Sequence, residues 1–540
     1  MTDNVEPGET GPDGTGPDRA PELHPEIVVR PPSDPTGQVF VVEDESAGPE
    51  EADGEAPQGS VLRKATVVSG RIILGFVVLA VIALVVGAAG LVPLPSVRAG
   101  QVSSVVTPVP TQQQLVCPGG LLRLGTASGA DATSASPIGS PRISSGALPG
   151  DVLSSVFANA DAGNGGSTSA PHLLSTPPAA GTGTALLGGA QSESVSTDDF
   201  AGLSSAACTA ASGETWLAGG ATATGRTTLL LLANPTDVAS VVTLHIFGEA
   251  GPVTAPGMDG ITVAARSQRV LSIAGFAPGL ASPVVHVTST GGQIVASLEQ
   301  STVRGVTPGG IDFIGGQAQP GTTAVIPGVV VSGTSALQSD IGASGYEDLQ
   351  STLRLFAPGT RAAKVTITIL NEDGTVTGKP TSASVPAGDV NDLALDSLSD
   401  GSYTIVVTSK VPIVASVRVS TAGSASAPSG TTDFAWATAA PLLDAGSIVT
   451  VAGGMTGTVH LENPTGSVQT VELTALDGTS LSATVQPHSA TSVPVQAGAS
   501  YELEGFSTIY ASVSGSTDGG VTSYAVYPSA HGAGPLRIYD

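Results

Sequence analysis

Three segments share one pattern: an apolar run, a residue followed by proline, a short polar gap, and a second run in which apolar and polar residues alternate. They are "TTLLLLANPTDVASVVTLHIFGEAG", "STLRLFAPGTRAAKVTITILNEDG" and "GTVHLENPTGSVQTVELTALDG". The residue before the proline is Asn234, Ala357 or Asn463, and each lies eight positions before a valine, Val242, Val365 or Val471. Proline lacks the N–H that a central ladder needs and restricts the residue before it, so each break ends one strand and turns a corner. An asparagine at the corner can bond the local backbone with its side chain. The runs "VTLHI", "VTITI" and "VELTA" have the period of a half-buried strand. They place Val242, Leu244 and Ile246 on one sheet face, and likewise Val365, Ile367 and Ile369, and Val471, Leu473 and Ala475. Each run then meets a glycine-containing turn, at Gly251, Gly374 and Gly478.

The similarity continues downstream. "ITVAARSQRVLSI", "ASVPAGDVNDLAL" and "ATVQPHSATSVPV" each read as strand, small turn and strand. "VASLEQST", "VASVRVST" and "YASVSGST" mark one late strand. Each unit opens on an apolar run, "TWLAGG", "AVIPGVVV" or "SIVTVAGG". That gives about seven short strands in roughly 100 residues, the pattern of an antiparallel β-sandwich. The expected fold is all-β: three tandem immunoglobulin-like sandwiches at 212–319, 320–440 and 441–540. Aromatic residues are scarce, so the cores must be built from small and β-branched side chains.

Ahead of these units lies an uninterrupted apolar run, Ile72 to Val92. At about 1.5 Å per residue it matches the roughly 30 Å hydrocarbon layer of a bilayer, and it predicts one transmembrane helix. Arg63, Lys64 and Arg71 precede it and Arg98 follows, which places the N-terminus in the cytoplasm and the bulk of the chain outside. A cleaved leader ending near Val97-Arg98-Ala99 is the alternative, but the segment before it is far longer than a secretory signal. Residues 1–62 are rich in Pro, Gly, Asp and Glu and read as a disordered acidic tail. Within the tail, "VVRPPSDPTGQVFVVEDE" has some apolar content and could serve as a docking motif. Residues 93–211, rich in Ser, Gly and Thr, read as a flexible stalk with a short strand segment near 113–124.

Cys117 and Cys208 are the only cysteines. An even pair on the oxidising side of a membrane is expected as a disulfide; two separate buried thiols are the alternative. The net charge is −26, from 45 acidic and 19 basic residues, with no basic stripe, which speaks against nucleic acid as a partner.

The combination "TWLAGGATATGRTTLLLLANP", "LHIFGEAGPV", "VIPGVVV", "VPIVASV" and "DFAWATAAPLL" resembles an actinobacterial cell-envelope family known as a domain of unknown function. The resemblance covers roughly residues 110–540. It implies a membrane-anchored exported protein and brings no catalytic residues with it.

The residues carry little that points to chemistry. His24, His172, His245, His286, His460, His488 and His531 form no His-x-x-x-His pair, and no zinc site, nucleophile elbow or phosphate loop is expected. His245, His286 and His460 fall in expected strands and read as strand-face residues. The pairs Asp198-Asp199, Glu347-Asp348 and Glu372-Asp373 read as solvated turns. Trp216 and Trp436 read as core rather than as a carbohydrate platform. The expectation is a non-catalytic scaffold or binding protein of the cell envelope, with no cofactor or metal, whose partners are envelope proteins or cell-wall glycans. An accessory subunit of a membrane glycan-assembly enzyme is the alternative, and a cell-wall hydrolase a weaker one.

Overall fold

The computed structural model describes residues 77–84, 103–106, 112–125, 134–161, 169–178, 185–529 apart from 342, 397 and 428, and 536–539. The acidic tail, the ends of the apolar run and the Val97-Arg98-Ala99 site lie outside the described residues. Residues 77–84 are helical, with the side chains of Val77, Leu79 and Leu84 exposed. Among the described residues no helix is long and apolar enough to cross a membrane.

The remainder is built almost wholly of antiparallel strands, and it makes the same moves four times. At 214–314 an opening strand, Glu214–Ala218, pairs with Val284–Gly291, which pairs with Ser240–Gly248. A second sheet starts from the corner strand, Arg226–Asn234. It pairs with Val295–Arg304, and that strand with Thr307–Ile314. Leu217, Leu230, Leu232, Val242, Leu244 and Ile246 close the core between the two sheets. At 321–438 the opening strand is Gly321–Val331 and the corner strand Thr352–Phe356. One long strand, Gly401–Ala422, serves both sheets and ends the unit by pairing with Thr432–Thr438. At 447–525 the order repeats from Ser447–Thr450 and Thr456–Asn463 to the last pair, Thr508–Thr517 with Gly520–Ala525.

The alternation read from the sequence sets the register. Val242, Leu244, Ile246, Val365, Ile367, Val471, Leu473 and Ala475 are buried, and Thr366 is exposed. The pattern slips once, after Ile367: Leu370 is buried where Ile369 is only half-buried. The two corner asparagines make the same network. Asn234 Nδ2 donates to the carbonyls of Val238 (2.8 Å) and Val263 (3.1 Å), while its Oδ1 accepts from the N–H and hydroxyl of Thr236. Asn463 does the same with Ser467, Val485 and Thr465. Each amide is fully buried and has both ends paired, so the Asn-Pro corner is part of the fold.

The stalk expected over 93–211 is corrected: its described residues from 113 to 207 form the first of the four repeats. Its opening strand Gln113–Cys117 pairs with His172–Thr176, and that strand with Leu153–Val156. Its corner strand Arg142–Leu148 pairs with Leu186–Ser196, and that strand with Ala201–Ala207. Leu148-Pro149 stands where Asn234-Pro235 stands in the second repeat. The small residues that read as flexible are instead sites of close approach. A Cβ on Gly188 would lie 2.4 Å from Thr450 Oγ1, and one on Gly146 would lie 2.5 Å from Leu476 Cδ1.

The repeats pack head to tail. The opening sheet of the first lies on the corner-strand sheet of the second through Val116, Phe157, Leu173, Ala233 and Val295. That of the second meets the third through Trp216, Val284, Phe356 and Val414. That of the third meets the fourth where Glu372 reaches His460. That of the fourth returns to the first, with Ile448 and Thr450 against Gly188. The four final strands, Ala201–Ala207, Thr307–Ile314, Thr432–Thr438 and Gly520–Ala525, pack in a closed circuit around a common axis. Outside the circuit, Ser103–Val106 pairs with Leu536–Tyr539, joining the segments that flank the first and last repeats. Cys117 and Cys208 form a disulfide within the first repeat.

Candidate functional site

Each final strand brings one polar residue to the same place on the axis: Ser204, Asp312, Asp433 and Thr522. All are at most 1% exposed. The Asp433 carboxylate accepts from Leu203 N (2.9 Å), Val521 N (3.0 Å) and Ile311 N (3.3 Å), and so holds the other three repeats. Asp312 does the same by other groups, accepting from Trp436 N (2.9 Å), Thr522 Oγ1 (2.9 Å) and Ser204 Oγ (3.3 Å). Burial pushes Asp433 up to about 7, against the pull of those N–H groups. Burial first, and then the neighbouring Asp433, push Asp312 well above the usual carboxylate range. Glycine is required beside this clasp: Gly310 has φ +109°, and a Cβ there would meet Phe434 Cδ1 at 2.5 Å. The two carboxylates were not singled out in the sequence, although "IDF" and "TDF" at matching places in two repeats carried the signal.

At the C-terminal ends of three of these strands lies a cavity of about 330 Å³. Its polar wall includes Gln113, Thr209, Glu214, Gln317, Gln319 and Tyr527, and its apolar wall includes Leu115, Leu187, Val295 and Ile448. Gln317 is 7% exposed. Its Oε1 accepts from Ala415 N at 3.2 Å, while its Nε2 is buried without a partner. A buried amide donor left unpaired costs about 1–3 kcal/mol, and this one is closed off from the cavity by its neighbours. Tyr527 donates to the Gly316 carbonyl, and burial raises its phenol above the ordinary range. Glu214 is fixed by Trp216 Nε1 (3.2 Å) and His286 Nε2 (2.8 Å). Burial lowers His286, with Glu214 opposing. Amides, hydroxyls and one carboxylate over an apolar floor suit a polar ligand held by hydrogen bonds.

The expected strand-face histidines are on strands, and one has a further role. His460 Nδ1 meets the Glu372 carboxylate at 2.7 Å, and its Nε2 meets Ser514 Oγ at 2.6 Å. A hydroxyl, an imidazole and a carboxylate in this order form the chain that activates a serine nucleophile. Here the imidazole is fully buried and Ser514 is 7% exposed, between the third and fourth repeats. The corner strand of the third repeat carries Arg354 at the matching position. Arg354 pairs with Asp392 and donates to Gly220, Ala281 and Pro283 of the second repeat. Both side chains bolt one repeat to the next.

Two of the acidic pairs expected as solvated turns are divided by the fold. Glu372 is buried against His460 while Asp373 is exposed. Asp348 lies among Arg226, Arg304 and Arg418 while Glu347 is exposed. Trp216 and Trp436 are both core, at 6% and 2% exposed, but in different strands of their repeats. Trp216 stacks on His286 at 3.9 Å, and Trp436 donates to Gln300 at 2.7 Å. Among the described residues no group of three or more His, Cys, Asp or Glu side chains is placed to hold a metal.

A comparison with curated proteins finds no match. Among solved structures, the crystal structure of Thermotoga maritima 1070 is similar over 23% of this chain and 95% of its own. At 17% identity and a TM-score of 0.18, that likeness carries no argument. The sequence also matches a family of unknown function (DUF5719) over residues 161–504, from within the first repeat to within the fourth. With most of its length matched, the chain belongs to the DUF5719 family.

Proposed function

We propose that this chain is a non-catalytic scaffold or binding protein of an actinobacterial cell envelope, held by one transmembrane helix at Ile72 to Val92. In this reading the N-terminus is cytoplasmic, the repeats are extracytoplasmic immunoglobulin-like sandwiches, and the partners are envelope proteins or cell-wall glycans. The disulfide supports an oxidising compartment. The observation that carries the binding role is the cavity with Gln113, Glu214 and Gln319 in its polar wall. The test is co-purification from gently solubilised membranes, with binding of isolated wall glycan measured alongside. Wild type should retain a partner or a glycan, and Gln319→Leu, a change at an exposed side chain of the cavity wall, should weaken that retention while unfolding at a similar temperature. Equal retention by both proteins would contradict the assignment of the cavity. Co-purification of a glycan-assembly enzyme would select the accessory-subunit form.

A second reading, a hydrolase, rests on the Ser514–His460–Glu372 chain alone. Labelling of Ser514 by a fluorophosphonate, abolished by Ser514→Ala, would support it; an unlabelled native protein would dismiss it.

A further inference from the structure

The third repeat differs from its neighbours in one connection. Between opening and corner strands the second repeat uses residues 219–225 and the fourth 451–455, whereas the third uses 332–351. Near the start of this longer segment Asp400 accepts from the N–H groups of Gly333 and Thr334. The segment ends in the turn Gly345–Asp348, beside the strand starts Thr307 and Thr432, at the opposite strand ends from the cavity.

Three arginines from two repeats converge on this turn. Arg226, Arg304 and Arg418 reach the Asp348 carboxylate at 2.9, 2.7 and 3.3 Å. Arg226 and Arg304 also donate to the Gly345 carbonyl, at 2.7 and 3.2 Å, and Arg418 donates to the carbonyl of Asp348. The turn thus presents one carboxylate and two carbonyls to three guanidinium groups, as a bound oxyanion would. Charge is not balanced. Glu347 is exposed and turned back on Gly345 N, so three buried or half-buried cations face one half-buried anion. Arg418 is 5% exposed, and its Nε has no partner. Burial and the push of Arg304 and Arg226 lower Arg418 to about 10 despite Asp348. Burial would raise Asp348, yet Arg418 and Arg304 hold it at about 2. Arg304 lies over Tyr346 and Arg418 over Phe434, which fixes the guanidinium planes.

We propose that Arg226, Arg304 and Arg418 form an oxyanion site which the Gly345–Asp348 turn occupies from within, and which a phosphate dianion takes when that turn is displaced. A dianion offers one more negative charge than Asp348 and has oxygens for the unpaired Arg418 Nε. The phosphate is either a free ion or a phosphomonoester on a larger envelope molecule; the chemistry is the same.

The experiment uses the full chain and inorganic phosphate, with sodium chloride at matched ionic strength as control. In wild type, phosphate should speed amide exchange over 345–349 at least threefold, because the displaced turn loses its anchors. In Asp348→Asn, phosphate should raise the unfolding temperature by several degrees with saturation, and Arg304→Gln added to it should abolish that rise. Glycerol 3-phosphate in place of inorganic phosphate separates the sources: tighter binding points to an esterified phosphate, equal or weaker binding to the free ion. No phosphate-specific change in wild-type exchange would overturn the proposal, even if the Asp348→Asn variant gained a response, because the cluster would then be a closed structural bridge.

Discussion

Replacing Asp433 by alanine removes one side chain and reaches all four repeats. The N–H groups of Leu203, Ile311 and Val521 lose their acceptor in a site that water does not enter. Each orphaned donor costs about 1–3 kcal/mol, so the direct loss is about 3–9 kcal/mol. A second effect opposes it. Asp433 titrates near 7 in the fold, against an ordinary value of 3.8. A raised carboxyl stabilises fully below its unfolded value, and its contribution falls as pH rises through the folded one. At about 1.4 kcal/mol per unit, keeping the group in place costs about 2 kcal/mol at pH 5 and about 4 kcal/mol at pH 8. The alanine variant is free of that cost. Its deficit in urea unfolding should therefore be several kcal/mol at pH 5 and about 2–3 kcal/mol smaller at pH 8. Amide exchange should quicken together at Leu203, Ile311 and Val521, which lie in three different repeats. A deficit under 1 kcal/mol at pH 5, or faster exchange confined to the third repeat, would refute the clasp.

Other consequences are as direct. Burial raises Glu193 and Asp433 to about 7 and Glu462 to about 8, and these carboxyls favour the fold below about pH 4 and lose that advantage as pH rises toward 8. The arginine-held Asp348 acts oppositely, losing stability as pH falls from 4 toward 2, so the unfolding temperature should peak near pH 4–5 and drop by pH 8; a peak above pH 7 would contradict this. Cys208→Ser opens a loop with a sequence separation of 91 and should cost about 4 kcal/mol in chemical unfolding, against no change if the two sulfurs are independent thiols. Ile367→Asp buries an unpaired charge and should cost more than about 3 kcal/mol, while Thr366→Asp on the exposed face should cost under 1 kcal/mol; equal losses would mean a different register.

Much of the sheet architecture was legible because it rests on local rules. The alternation at Val242, Val365 and Val471 and the proline breaks need no partner strand to be read. The disulfide followed from a count of two. The first repeat was not legible, because Gly146, Gly188 and Gly189 look like linker residues until Leu476, Thr450 and Leu174 are set against them. Leu148-Pro149 is also a corner without its asparagine. The clasp, the Ser514–His460–Glu372 chain and the arginine cluster were hidden for one reason. Their members are brought together by packing between repeats, and Leu203 and Asp433 lie 230 positions apart. Asp348 and Glu372 read as surface because a turn carboxylate is solvated unless another repeat covers it.

The central claim is that the fourth repeat closes on the first across a shared axis. The Ser205 and Thr522 hydroxyls are 2.9 Å apart there, though 317 positions separate them in sequence. The double variant Ser205→Cys with Thr522→Cys, produced in an oxidising compartment and mapped without reduction, measures that closure. The account predicts a peptide linking positions 205 and 522 in nearly every folded molecule, beside the native Cys117–Cys208 link. Free thiols at 205 and 522 in protein that unfolds cooperatively would contradict it.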